Sequence, residues 1–146
     1  VAAGRLGRKA GAGWYRYPAT GGKLVDPSVE DLICEESAVA GINRRVFTEA
    51  EIQHRLVLAM VNEAADILAD GIAENAADID LVTIHGYGFP RWRGGLMHYA
   101  DQIGVSDILR HLRALADEDP LVWRPSPVIV DCAEKHISLA AWHRAE

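Results

Sequence analysis

Cysteine is scarce in this 146-residue chain, and Cys34 and Cys132 have neither the paired spacing of a zinc site nor that of a redox motif. A disulfide scaffold and a structural metal are therefore not expected, and both thiols are read as buried and free. No apolar run approaches the roughly 20 residues that a membrane-spanning helix needs, and the start has no secretory-signal pattern of charged, apolar and small-residue regions. Basic charge is in the minority, with 15 Lys and Arg against 21 Asp and Glu for a net charge of −6. The cations build no stripe interleaved with aromatics, so nucleic acid is not an expected partner. None of the six histidines pairs with another at the three- or four-residue spacing that puts two metal ligands on one helix face. Sustained apolar and polar alternation is missing too, which leaves an all-α architecture without an internal strand.

What remains is the composition of a packed soluble domain, 49% apolar and 25% charged. Residues 1–23 are rich in Gly and hold Arg5, Arg8, Lys9, Arg16 and Lys23 with no acid, a loop expected to be pinned to a core by Trp14, Tyr15 and Tyr17. Asp26-Pro27 supplies a cap followed by proline at the first helical position. The helix it opens should reach Gly41 with Val29, Leu32, Ile33 and Ala40 inward and Glu30, Asp31, Glu35 and Glu36 in solvent. Thr48 and Glu51 form a capping box. The long helix they open, to Gly71, is expected to be central, with a stripe of Ile52, Leu56, Ala59, Met60, Ala64, Ile67 and Leu68 widened by Val57, Val61 and Ala65. Asn75 caps a third helix with Ile79, Val82 and His85 inward, closed by a left-handed Gly86. An irregular connection to Gly95, a short helix over 96–100, a helix capped by Ser106, and a restart at Ser126-Pro127 complete the chain, with Ser138 capping a final short turn.

The glycine runs around Gly11-Ala12-Gly13 and Gly86-Tyr87-Gly88 lack a preceding strand and the third spaced glycine that a dinucleotide fingerprint requires. They are read as structural turns. His54, beside Arg55, is either a satisfied structural side chain or a general base without a local carboxylate to orient it. Asn62 and Glu63 interrupt the apolar long helix and are expected to bond to the backbone of the 86–95 connection. The run Phe89-Pro90-Arg91-Trp92-Arg93-Gly94-Gly95 is the most distinctive local feature. Its arginines either bind an anion or cap helix ends and cover the core, and Trp92 beside glycine also has the character of an interface anchor.

The segment Gly4-Arg5-Leu6-Gly7-Arg8-Lys9-Ala10-Gly11-Ala12-Gly13-Trp14-Tyr15 resembles the closing motif of the first C-terminal helical domain of 3-hydroxyacyl-CoA dehydrogenases. The stretch from Arg55 through Met60-Val61-Asn62-Glu63-Ala64-Ala65, Gly71-Ile72, Ala77-Asp78-Ile79-Asp80, Gly88-Phe89-Pro90 and Arg93-Gly94-Gly95 to Tyr99-Ala100-Asp101 is similar to the second such domain in multifunctional β-oxidation α-subunits. Ala10, Ala12, Trp14 and the pair Arg91-Trp92 depart from the usual motif. The resemblance implies a 6-phosphogluconate-dehydrogenase C-terminal-like helical fold, with residues 1–23 closing the preceding repeat and 24–146 forming the second domain. It implies a full-length protein, hydratase region included, in which NAD takes hydride from an L-3-hydroxyacyl-CoA and a His–Glu pair in a Rossmann domain removes the proton.

Several expectations follow from that likeness. The family's active-site Asn on the long helix corresponds here to His54, so no catalytic residue is carried over, and no cofactor-binding or metal-ligating residue is assigned. With Val1 in first place the chain reads as a fragment, inactive alone, that lends a substrate-side wall and domain contacts through Phe89, Arg91, Trp92 and Arg93. Its partners would be the preceding repeat and the Rossmann domain, acyl-CoA in the whole enzyme, and a thiolase subunit. Arg144-Ala145-Glu146 is no peroxisomal address, and a cytoplasmic setting is expected. The other reading is an independent helical interaction or acyl-CoA-binding module with no enzyme role.

Overall fold

The computed structural model describes residues 4–144, which fall into two compact units divided between Val46 and Phe47. The first unit begins with a 3-10 turn, Arg8–Ala10, closed by Gly11 at φ 72°. Strands β1 (Tyr15–Arg16) and β2 (Leu24–Val25) then pair antiparallel, a small ladder where only loop was expected. Trp14 is 74% exposed, so it does not pin the loop to a core. The anchor is polar instead. Asp26 is buried, accepts bonds from Arg5 (2.8 Å) and Arg16 (3.3 Å), and caps helix α1 (Pro27–Val39) through the Ser28 N–H. Within α1 only Val29 is buried, whereas Leu32, Cys34 and Ala40, expected inward, lie exposed.

The second unit is a helical bundle: α2 (Glu49–Ala69), α3 (Ala76–Gly86), α4 (Leu96–Ile103), α5 (Val105–Ala116) and α6 (Pro127–Lys135), with 3-10 turns at Arg91–Arg93 and Leu139–Ala141. The capping box forms as the sequence requires, Thr48 Oγ1 accepting from the Glu51 N–H and Glu51 Oε2 from the Thr48 N–H. Short α4 is the hub, packing on α2, α3, α5 and the Leu139–Ala141 turn through buried Leu96, Met97 and Ala100. Together with Leu58, Val61, Leu68, Ile108, Leu112, Ile129 and Leu139 these residues make one contiguous core.

Two helices are rotated from the expected phase. In α2 the buried side is Leu58, Val61, Asn62, Ala64, Ala65 and Leu68, while Ile52, Leu56 and Met60 are 47%, 60% and 39% exposed. In α3 the buried side is Ala76, Ile79 and Thr83, and Val82 and His85 face solvent. Its left-handed closing residue is Gly88 (φ 72°), one step past Tyr87, rather than Gly86. Helix α5 is opened by Gly104 at φ 99°, shared with the end of α4, and not by Ser106.

Asn62 finds its partners away from the expected loop. Its Nδ2 donates to the Arg124 carbonyl (2.9 Å) and its Oδ1 accepts from the Ser126 N–H (2.8 Å), fastening the proline-rich segment before α6 onto α2. Glu63 is exposed. Removing the amide strands two backbone groups, one of them buried, so Asn62→Ala should lower unfolding free energy by about 1–3 kcal/mol in urea denaturation, against roughly 0.5 or less for Glu63→Ala.

Candidate functional site

The distinctive 89–95 run is placed by a carboxylate from another helix. Asp80, on α3, accepts backbone N–H bonds from Met97 (2.6 Å) and His98 (3.2 Å), the groups that open α4. It takes the place of a local cap, since Gly95, at φ 111°, offers no side chain. A Cβ on Gly95 would collide with the Asp80 side chain, so only glycine permits this approach. Burial lifts the Asp80 pKa above the usual carboxylate range, with the bonds from Met97 and His98 working the other way.

Held in this way, residues 91–93 form a 3-10 turn closed by Gly94 at φ 79°. The Arg93 guanidinium lies 4.3 Å from the Trp92 ring centre and 4.2 Å from that of Tyr99. Phe89 packs against the core with its ring 6.1 Å from Tyr99. Trp92 is 78% exposed and Arg91 also points to solvent. Of the four residues singled out from sequence, the structure therefore brings Phe89 and Arg93 to one cavity and leaves Arg91 and Trp92 outside its lining.

That cavity has a volume of about 430 Å³ and is lined by Ala50, Gln53, His54, Val57, Phe89, Pro90, Arg93, Tyr99 and Ile103. His54 meets His111 of α5 edge to face, ring centres 4.6 Å apart. The His111 Nδ1 is buried without a partner among the described residues. Burial, then the nearby His111 and Arg55, hold the His54 pKa below its ordinary value. Beside it Arg55 is committed, donating to both Glu118 oxygens (2.7 and 2.8 Å) and stacking on Phe47. Sequence reasoning missed the His54–His111 pair because 57 positions separate the two and no spacing links them.

A second concavity, about 750 Å³, runs between α2 and α3. Met60, Ile67, Ile72, Val82, Tyr87 and Leu96 supply its apolar walls, with Glu63, Glu74 and Asp78 among the other lining residues. Met60, Ile72, Val82 and Tyr87 are exposed in this concavity, an apolar surface of the kind that a partner often covers.

Among the described residues no group of three His, Cys, Asp or Glu is set to hold a metal. A dinucleotide does not fit the Gly94-Gly95 turn, because the helix N–H groups that would receive a pyrophosphate are already bonded to Asp80. The only sheet among the described residues is the two-stranded antiparallel ladder, not a β-α-β unit. Among the described residues no helix is long and apolar enough to cross a membrane.

Residues 52–137 match the family model described as 3-hydroxyacyl-CoA dehydrogenase, C-terminal domain. The chain is 40% identical over 132 residues to a peroxisomal bifunctional enzyme of Danio rerio, covering 86% of this chain and 18% of that protein. A Homo sapiens protein of the same name is 36% identical over 80% of this chain and 16% of its own length. A peroxisomal fatty acid beta-oxidation multifunctional protein of Oryza sativa subsp. japonica is 32% identical over 94% and 20%. The chain thus spans no more than about a fifth of the length of these relatives.

The lifted Asp80 pKa has a definite sign. The folded state binds this proton more tightly than the unfolded chain, so the contribution is full below the ordinary carboxylate pKa and declines as pH rises through the lifted value. Subtracting the unfolding free energy of Asp80→Asn from that of the native protein should therefore give a smaller value at about pH 7 than at about pH 4. Gly95→Ala, strained by both its φ and its contact with Asp80, should destabilise by about 1–3 kcal/mol in the same measurement.

Proposed function

The chain belongs to the family of 3-hydroxyacyl-CoA dehydrogenase C-terminal domains, and on that premise we propose that it works as the helical scaffold of an NAD-dependent L-3-hydroxyacyl-CoA dehydrogenase in fatty-acid β-oxidation. In this reading residues 1–23 close the preceding helical repeat and 24–146 make the second, with its compact body from Phe47 onward. The chain's own part is to wall the substrate side and to carry domain contacts, while NAD chemistry belongs to a Rossmann domain of the same polypeptide. Acyl-CoA is the substrate of the whole enzyme, and a thiolase subunit is its further partner.

The observation that carries this reading is the 750 Å³ concavity between α2 and α3. Its apolar wall continues along α2 through exposed Leu56 and Ile52, a surface that a free-standing domain would leave in water at a cost of about 25 cal/mol per Å². Phe89, Arg91, Trp92 and Arg93 lie at the opening of α4, where a neighbouring domain or substrate would meet them. A cytoplasmic setting was expected from sequence and the relatives carry peroxisomal names, so imaging of the tagged full reading frame decides between them.

Two assays test the scaffold role. The purified chain incubated with NADH and acetoacetyl-CoA should oxidise no NADH above a no-protein control, and turnover above that control would refute the reading. In the polypeptide that includes the Rossmann domain, Met60→Asp with Val82→Asp should lower the melting temperature of the whole enzyme by several degrees more than that of this chain alone. Equal shifts would show that nothing covers the α2/α3 surface.

A further inference from the structure

We propose that the cavity between the first turns of α2 and the 88–95 connection binds a small aliphatic carboxylate, with Arg93 and His54 taking the head group and Val57, Phe89 and Ile103 seating a short hydrocarbon tail. Its 430 Å³ falls within the range of about 300–1,000 Å³ in which small molecules are held by apolar walls and a few placed polar groups. Arg93 is the main indication. Trp92 and Tyr99 hold its guanidinium at 4.3 and 4.2 Å, and no carboxylate among the described residues pairs with it. Ring contacts leave in-plane N–H donors for an acceptor, and a carboxylate matches two of them at once.

Arg55 makes the contrast, since Glu118 already occupies it. An inorganic anion would meet the same Arg93 donors yet gain nothing from Val57, Phe89 and Ile103, whereas each buried methylene of a tail adds affinity. The His111 Nδ1 is closed off behind, so His54 is the imidazole of the pair that the cavity exposes. The charged and titratable groups around His54 are His111 on α5, Arg55 and Glu51 on α2, Glu118 beyond α5, and Arg93 and Tyr99 across the cavity. Burial, His111 and Arg55 disfavour its protonation in the free protein, and a bound carboxylate favours it. Binding should therefore take up a proton and strengthen as pH falls, until His54 is protonated without ligand.

The test is isothermal titration of the intact chain with hexanoate at about pH 6 and 8, in two buffers of different ionisation heat, with hexanol and inorganic phosphate as the other probes. Hexanoate should bind with proton uptake and at least about tenfold more tightly than either comparison probe. Arg93→Gln should weaken it about tenfold or more, the loss expected for a charge-assisted bond, and His54→Gln should abolish the proton uptake. No hexanoate binding, phosphate or hexanol binding as tightly, or affinity unmoved by Arg93→Gln would each overturn the proposal. Should Arg93→Gln fail to fold, the probe ratios and the proton count on the native chain still decide. Failure here leaves the scaffold reading standing, because neither of its assays depends on this cavity.

Discussion

The second unit turns on one carboxylate meeting one helix end. Asp80 leaves α3 to receive the N–H groups of Met97 and His98, and in doing so it fixes where α4 begins. Since α4 touches α2, α3, α5 and the closing 3-10 turn, the placement of its first residue propagates through the core. The same contact requires Gly95 to lack a side chain, and it sets the 3-10 turn that holds Arg93 between two rings. Core packing and cavity geometry are thus two results of one half-buried polar interaction.

The two units treat an aspartate in opposite ways. Asp26 in the first unit is answered first by Arg5 and then by Ser28, with Arg16 also bonded, and its carboxyl is held well below the usual range. Asp80 is answered chiefly by the backbone N–H groups of Met97 and His98, and there burial dominates. The first unit, with Val29 as the buried apolar residue of its helix, is organised by charge, whereas the second is organised by a continuous apolar core.

Local signals were read well from sequence because their physics is local. The Thr48–Glu51 box and the Asp26 and Asn75 caps each involve partners within a few residues and stand where expected, while the Ser126-Pro127 start is in place without a side-chain cap bond from Ser126. The phase of α2 was not legible, because apolar residues surround it and periodicity cannot say which of them the core selects. Leu56 and Met60 went outward and Leu58 inward. Long-range pairs were equally hidden: Asn62 bonds to Ser126, and His54 meets His111, through folding that no spacing encodes. Of the four candidate site residues, the glycine-rich run marked the neighbourhood, and only the backbone path separated Phe89 and Arg93 from Arg91 and Trp92.

The two cysteines, alike on paper, have different chemical fates. Cys132 sits in the core near Asp131 and Asp101, its thiol pushed up to about 11 chiefly by burial, so the reactive thiolate is scarce at physiological pH. Cys34 stands exposed on α1. Towards maleimides and peroxides the folded chain therefore behaves as a single-thiol molecule, and a dye attached at Cys34 reports on the first unit while the native core of the second stays unmodified.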